Sequence, residues 1–328
     1  QLKGPGIQEW AQQGALNDVQ GVAEAEQWDA VLPPALASIM KYEGNYVAAP
    51  VNIHRVDWFW ANPELLEQAG IDGMPTTWDE FNAAADKLMA AGITPLAHGG
   101  QPWQDATVFE DVVLGIGGAE FFRKALVELD PEALTSDTMV ASFDQLRKLR
   151  GYVDPNFPGR DWNLATAMVM RGEAAFQIMG DWAKGEFLAA GKVPGEDFLC
   201  APTPGNGYVL NSDSFTFFKV SGEDNLKGQQ VLASLIMSPE FQKTFNLAKG
   251  SIPARTDVPL DEFDICAQRS HADLLAAIES NALVPSMAHE MAISRSVRGE
   301  FLDLVTEFFN SDMSSEDAAS RLADAVAR

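Results

Sequence analysis

Five stretches gather side chains able to recognise a small polar ligand: residues 98–105, 180–184, 211–214, 249–252 and 286–289. They mix polar groups with glycine or aromatic rings and fall near the ends of expected strands. A molecule with a rim of hydroxyls and apolar C–H faces needs this mixture, with acids, amides and cations at its edge and rings above and below. Trp182 is the plainest case. Asn163 is read as the cap of a short helix that Gly172 ends in a left-handed turn. Residues 174–179 then form an apolar strand buried on both faces, Gly180 stops it, and Trp182 follows. Open α/β sheets gather their ligands just past such strand ends. A tryptophan there also suits packing against the next helix.

Enzyme signatures are missing. There is no GxxxxGK[ST], GxGxxG, GxSxG or HExxH motif, and the four histidines (His54, His98, His271, His289) are scattered. No cofactor or metal is therefore expected. Two carboxylates at the right distance suffice for a glycosidase. With 47 acids in the chain, solvated surface carboxylates are the plainer reading.

Composition narrows the classes. At 328 residues the chain exceeds one comfortable core, so two lobes are expected. The formal net charge is −24, which repels phosphate backbones and anionic lipid heads and argues against nucleic-acid or membrane-surface roles. No apolar run is long enough for membrane insertion. The opening Gln1-Leu-Lys-Gly-Pro5 lacks an initiator Met and a signal peptide, which reads as a processed, exported or truncated product. Cys200 and Cys266 belong to no CxxC pair, so two buried thiols and one disulfide both stay open, the even count favouring the disulfide in an exported chain.

The elements alternate as in an α/β protein. A first helix runs from Pro5 and ends at Gly14; residues 28–40 read as one helix tightened by Pro33 and Pro34; residues 46–53 and 54–60 are β-rich. Asn62-Pro63 opens a helix to Ala69. Thr77 with Glu80 forms a capping box for a helix over 78–91. A short strand at 93–97 precedes a loop over 98–105 and helices to Gly115 and over 119–126. Another helix covers 138–150. Residues 193–207 read as a loop, 214–220 as a strand, 226–237 as a helix, and 249–255 as a loop. The remainder is read as helical to Ala327, with Cys266 in a loop.

These segments resemble a known family. Thr76-Thr-Trp-Asp-Glu-Phe81, Gly172-Glu-Ala-Ala-Phe-Gln-Ile-Met-Gly-Asp-Trp182 and Leu235-Ile-Met-Ser-Pro-Glu-Phe-Gln242 with Lys249-Gly-Ser-Ile-Pro-Ala-Arg255 are similar to motifs of family-1 extracellular solute-binding proteins, the sugar receptors of bacterial ABC importers. Lys3-Gly-Pro5 with Gln8-Glu-Trp10, residues 98–105, 180–186 and 286–289 resemble the glucose/mannose-binding branch. The resemblance implies an α/β, two-lobed periplasmic-binding-protein fold of type II. Residues 1–53 and 208–282 would form lobe one, and 54–207 and 283–328 lobe two. Lys3, Asp213, Lys249 and His289 would hydrogen-bond sugar hydroxyls, Trp182 would supply an aromatic wall, and Cys200 would pair with Cys266.

The implied function is capture of a monosaccharide, glucose or a close hexose, in the periplasm. Hinge closure would then deliver it to ABC importer permease subunits. A carbohydrate-active enzyme and a sugar chemoreceptor component are the alternatives. The family opens with a strand-helix-strand unit that is not found in this sequence. Residues 46–53 are thus expected to leave backbone groups unpaired, and the gap is expected to be filled by a separate N-terminal fragment of the same protein, by another copy of the chain, or by residues outside this sequence.

Overall fold

Short β-rich runs broken by proline, glycine and asparagine give many small strands rather than a few long ones. The structure is a computed structural model that describes residues 2–326, so the readings at Gln1 and Ala327 fall outside the described residues. In chain order the strands are β1 (Lys41–Tyr42), β2 (Asn45–Tyr46), β3 (Ala48–Pro50), β4 (His54–Arg55), β5 (Trp58–Ala61), β6 (Thr94–Ala97), β7 (Ala174–Ile178), β8 (Leu199–Pro202), β9 (Tyr208–Asn211), β10 (Ser214–Thr216) and β11 (Leu283–Pro285).

Two bodies of packed side chains result. One gathers Ile7, Trp28, Leu36, Tyr46, Val51 and Ile53 with Phe217, Ile236, Ile252 and Leu274. The other surrounds a four-stranded sheet of order β6-β7-β5-β8, in which β6 and β7 run parallel and β5 opposes both its neighbours. All residues of β5 and β7 are buried, including Gln177 in the otherwise apolar β7, whose amide donates to the Trp162 carbonyl at 3.1 Å. On β5 the alternation of side chains sends Phe59 to one face and Trp60 to the other. Trp60 also donates its indole N–H to the Met179 carbonyl at 2.7 Å.

Between the two bodies lies a three-stranded sheet, β11-β9-β4, with β11 parallel and β4 antiparallel to β9. Its period-two alternation divides its side chains. Tyr208 and Leu210 enter the first core, whereas Val209 enters the second. Ile53 and Val56 split in the same way on the entering strand. This is a two-lobed α/β fold whose chain crosses between lobes three times.

Several expectations change. Residues 28–40 form two helices, Trp28–Val31 and Pro34–Ile39, because Pro33 lacks the N–H that would continue the first. Asn163 lies inside the helix Trp162–Met170, and Asp161 holds the N-cap position without a side-chain cap bond. Gly172 does end that helix, at φ +69°. Thr77 caps the helix Trp78–Ala90, but Glu80 reaches the N–H of Thr76 rather than that of Thr77. The loop after β6 ends at Gln101, and the helix Pro102–Phe122 is continuous apart from a kink at Gly118. The segment 193–207 contains β8, the expected strand at 214–220 shortens to β10, and the last third contains β11. The helices Gln20–Ala25 and Pro131–Leu134 and strand β9 are among the elements that were not expected.

Cys200 on β8 is bonded to Cys266, whose place is the first turn of the helix Ile265–Glu279 and not a loop. That helix also feeds Leu274 into the first core, so the bridge ties the two bodies together. Lys184 and Asp264 form an ion pair at 2.9 Å beside it. The cysteines lie 66 residues apart, and a closed loop of this length removes much unfolded-state freedom. Replacing both by serine is expected to lower stability by about 2–4 kcal/mol. Denaturant unfolding of the oxidised, reduced and serine forms checks this, with the last two expected to agree.

Candidate functional site

The cleft between the lobes is built where the three crossings converge. Lys3, His54, Trp103, Trp182, Asn211, Asp213, Lys249 and His289 line a cavity of about 280 Å³. All the ligand-facing residues named from sequence therefore meet in one place. A larger hollow of about 570 Å³ beside Gly4, Pro5, Gln8 and Lys41 offers no comparable convergence. Its Gln8 amide is already spent on the Ile39 and Lys41 carbonyls.

Lys3 caps the helix Gly4–Gln12 from outside and turns its ammonium to Asn211 Oδ1 at 2.9 Å and Asp213 Oδ1 at 3.1 Å. Gly4 makes this approach possible. It sits at φ +42°, and a Cβ there would lie 2.4 Å from the Glu290 carbonyl oxygen. Asp213 follows β9 and is braced by Asn52, which donates to its Oδ2 at 3.1 Å and accepts its backbone N–H at 2.8 Å. Burial alone would raise the Asp213 carboxyl, but His54, Lys3 and Asn52 outweigh it and hold the group well below the usual carboxylate range. Asp213 thus stays an ionised acceptor.

Lys249 ends the helix Pro239–Lys249, and Gly250 turns the chain away at φ +88°. The last turn abuts the opposite lobe, since a Cβ on Gly250 would lie 3.2 Å from the Gly185 nitrogen. The Lys249 side chain is exposed and belongs to none of the described ion pairs.

Trp182 occupies a short turn after β7, its indole resting on the bare Cα of Gly180, where a Cβ would come within 2.2 Å of the ring. It is half-buried and packs on the second lobe's core while lining the cleft, so wall and core packing are one role. Its ring meets His289 edge-on at 4.9 Å, His54 at 5.4 Å and Trp103 at 6.5 Å. Trp103, in the first turn of its helix, is a second aromatic on this wall.

His289 stands on the third crossing. Thr107 spends its hydroxyl proton on the Trp103 carbonyl at 2.8 Å, so the His289 Nε2–H donates to Thr107 Oγ1 at 3.1 Å. Burial pushes the His289 pKa well down, and Lys3, Arg298 and His54 push the same way. The ring is therefore neutral, and Nδ1 is left as an acceptor. Buried Glu110 holds this loop, accepting from the Ser286 hydroxyl at 2.6 Å and the Met287 and Ala288 amides at 2.8 and 3.1 Å.

Sequence reasoning passed over His54, Asn52 and Glu110. Their types were visible, but nothing in their spacing marked them, because each acts through partners more than 100 residues away. Among the described residues no group of three or more His, Cys, Asp or Glu is placed to hold a metal ion, and no helix is long and apolar enough to cross a membrane.

Two lobes joined by three crossings, with rings, amides and charges converging between them, define a solute-binding receptor. The chain belongs to the bacterial extracellular solute-binding protein family, whose pattern matches residues 2–243. It is 53% identical over 328 residues to a probable sugar-binding periplasmic protein of Brucella suis biovar 1 (strain 1330), covering 99% of this chain and 77% of that protein. Among solved structures, a chitin oligosaccharide binding protein superposes with a TM-score of 0.82 at 20% identity, covering 98% of this chain and 80% of the other. The solute receptor AcbH, described as having an exclusive preference for b-D-galactopyranose, gives 0.83 at 19%, covering 98% and 82%. The protein is periplasmic, a compartment that suits its disulfide.

Two outcomes follow from this geometry. Gly180→Ala is expected to push the indole off its seat and to weaken ligand binding about tenfold or more. Trp182→Ala should weaken it similarly while costing less than the roughly 3–5 kcal/mol typical of a fully buried tryptophan. Calorimetric titration alongside thermal melts separates the two effects. The second outcome concerns Glu110, whose pKa is pushed up by burial to about 7 despite its three donors. A raised carboxyl contributes stability that is complete below its ordinary value and lost as pH rises through about 7. The protein is thus expected to lose about 2–3 kcal/mol from this group between pH 4.5 and 8, on the scale of 1.36 kcal/mol per unit. Glu110→Gln should flatten that part of the stability–pH curve.

Proposed function

We propose that this protein is the sugar receptor of an ABC importer, capturing one monosaccharide, glucose or a close hexose, by closure of the lobes and presenting it to the permease subunits. The observation that carries the reading is the convergence of Lys3, Trp182, Asp213, Lys249 and His289 on one cleft with Trp103 and Asn211. In this reading Asp213 and the neutral His289 accept sugar hydroxyls, Lys3 and Lys249 donate to them, and Trp182 lies against the C–H face. The volume of about 280 Å³ lies just below the usual range of ligand pockets, about 300–1,000 Å³, and supports a single ring over a chain of sugars. The names of the relatives support the sugar class.

The lobes in this reading are residues 1–53 with 208–282 and residues 54–207 with 283–328. Core membership supports that division, with Met291 packing into the first core and Val209 and Cys266 into the second body as exceptions. The first lobe also leaves Phe215, Phe218, Val231, Leu232 and Leu235 exposed.

Isothermal titration against monosaccharides and disaccharides tests the main reading. A hexose should bind, and Asp213→Ala should weaken it roughly tenfold or more, since a hydrogen bond to a charged group contributes about 1.5–3 kcal/mol. Tighter binding of oligosaccharides than of any single hexose would remove the monosaccharide assignment.

A further inference from the structure

His54 is 3% exposed and lies on β4, the first strand to cross between the lobes. Its Nδ1 is hydrogen-bonded to Asp181 Oδ1, and its Nε2 lies 3.4 Å from Asp213 Oδ2. Asp181 opens the turn that carries Trp182, and its second oxygen accepts the Arg55 backbone N–H at 3.0 Å. One ring thus spans from the aromatic wall of one lobe to the acceptor carboxylate of the other.

The charges of this cluster balance only when the ring is protonated. Among the groups in direct contact, Lys3 and an imidazolium offset Asp213 and Asp181, whereas a neutral ring leaves buried Asp181 and part-buried Asp213 against one ammonium. The Asn52 amide is oriented by the Asp213 backbone N–H, so its two hydrogens face Asp213 Oδ2 and His54 Nε2, the latter at 3.0 Å. A neutral ring accepts from Asn52. A charged ring instead donates its Nε2–H to Asp213. The same partners therefore serve two states that differ by one proton.

We propose that His54 is a positioning residue for ligand capture, a latch that holds Asp213 and the Trp182 turn in their binding arrangement while its ring bridges Asp181 and Asp213. This rests on the sugar-receptor reading of the cleft. The groups facing the ring are Asp181 and Trp182 from the turn, Asp213, Asn211 and Asn52 from the crossings, Lys3 from the first helix, and His289 from the third crossing. Lys249 lines the same cleft. Arg55, next along the strand, turns its guanidinium away to Asp57 and Asp273. Burial opposes a charged ring, but Asp181 and then Asp213 outweigh it and hold the His54 pKa above the ordinary imidazole range.

The sign follows. A group raised in the folded state gives its full contribution below its ordinary pKa of about 6.5 and loses it as pH rises through the folded value. Hexose affinity is expected to fall on raising the pH through the alkaline range above that point. His54→Gln should bind about tenfold more weakly at pH 6.5 and show little change in affinity up to pH 9. His289→Gln should bind weakly yet keep the wild-type pH slope.

The experiment pairs calorimetry of these proteins with 15N NMR of the unliganded ring. A His54 ring that remains an imidazolium at pH 7.5, and titrates earlier in Asp181→Asn, supports the latch even where His54→Gln folds poorly. A neutral ring at pH 7, or a His54→Gln protein with wild-type affinity and slope, overturns it. If the wild type binds no hexose while the ring titrates as expected, the sugar reading fails and the latch stands.

Discussion

Much in this molecule depends on passing a chain three times between two cores while pairing most of the buried polar groups on the way; the Thr203 hydroxyl is one that stays without a partner. The crossing strands carry Asn52, His54, Arg55, Asp57, Asn211 and Ser212, all buried. Arg55 shows how the requirement is met. It donates to Asp57 at 3.0 Å, Asp273 at 2.6 Å and the Gly207 carbonyl at 3.1 Å, and it stacks between Trp58 and Tyr208. Asp57 in turn accepts the Val209 N–H at 2.7 Å and so fixes one crossing to another. A buried pair of this kind is costly to form and far more costly to break on one side, which makes the crossing a single rigid unit.

The ligand cleft is the exposed continuation of that unit. His54 adjoins Arg55 and Asn211 and Asp213 flank Ser212, so they inherit that fixed geometry, and Lys3 reaches Asn211 and Asp213 from the start of the first helix. The rings of Trp103, Trp182 and His289 line the cleft together, His289 meeting both indoles edge-on and the two indoles meeting at a tilt. A chain of net charge −24 keeps two of its 23 Lys and Arg here, at Lys3 and Lys249. Lys3 helps to hold Asp213 as an ionised acceptor, and both lysines are donors, so the site is polar without being strongly charged.

How much of this was legible beforehand depended on whether the signal was local. Caps, helix ends and buried strands were readable where one residue fixes the backbone, as Gly172 does at a helix end and Thr77 at a helix start. The errors were also local: proline split residues 28–40, and strands as short as β9 and β11 carried too few residues to show alternation. The cleft residues were found because resemblance supplied long-range pairing that periodicity does not contain. His54 and Glu110 were missed because a buried histidine or glutamate is ambiguous until its partner is known.

The sequence by itself determined the α/β alternation, the apolar strands of the second lobe, and the residue types from which a sugar-sized site could be made. Only the tertiary structure placed Asp181 and Asp213, two of 47 acids, on either side of one imidazole ring. The reason is that protonation and hydrogen-bond capacity depend on distance and burial. Asp213 and Asp181 are 32 positions apart in sequence, yet one imidazole ring touches both.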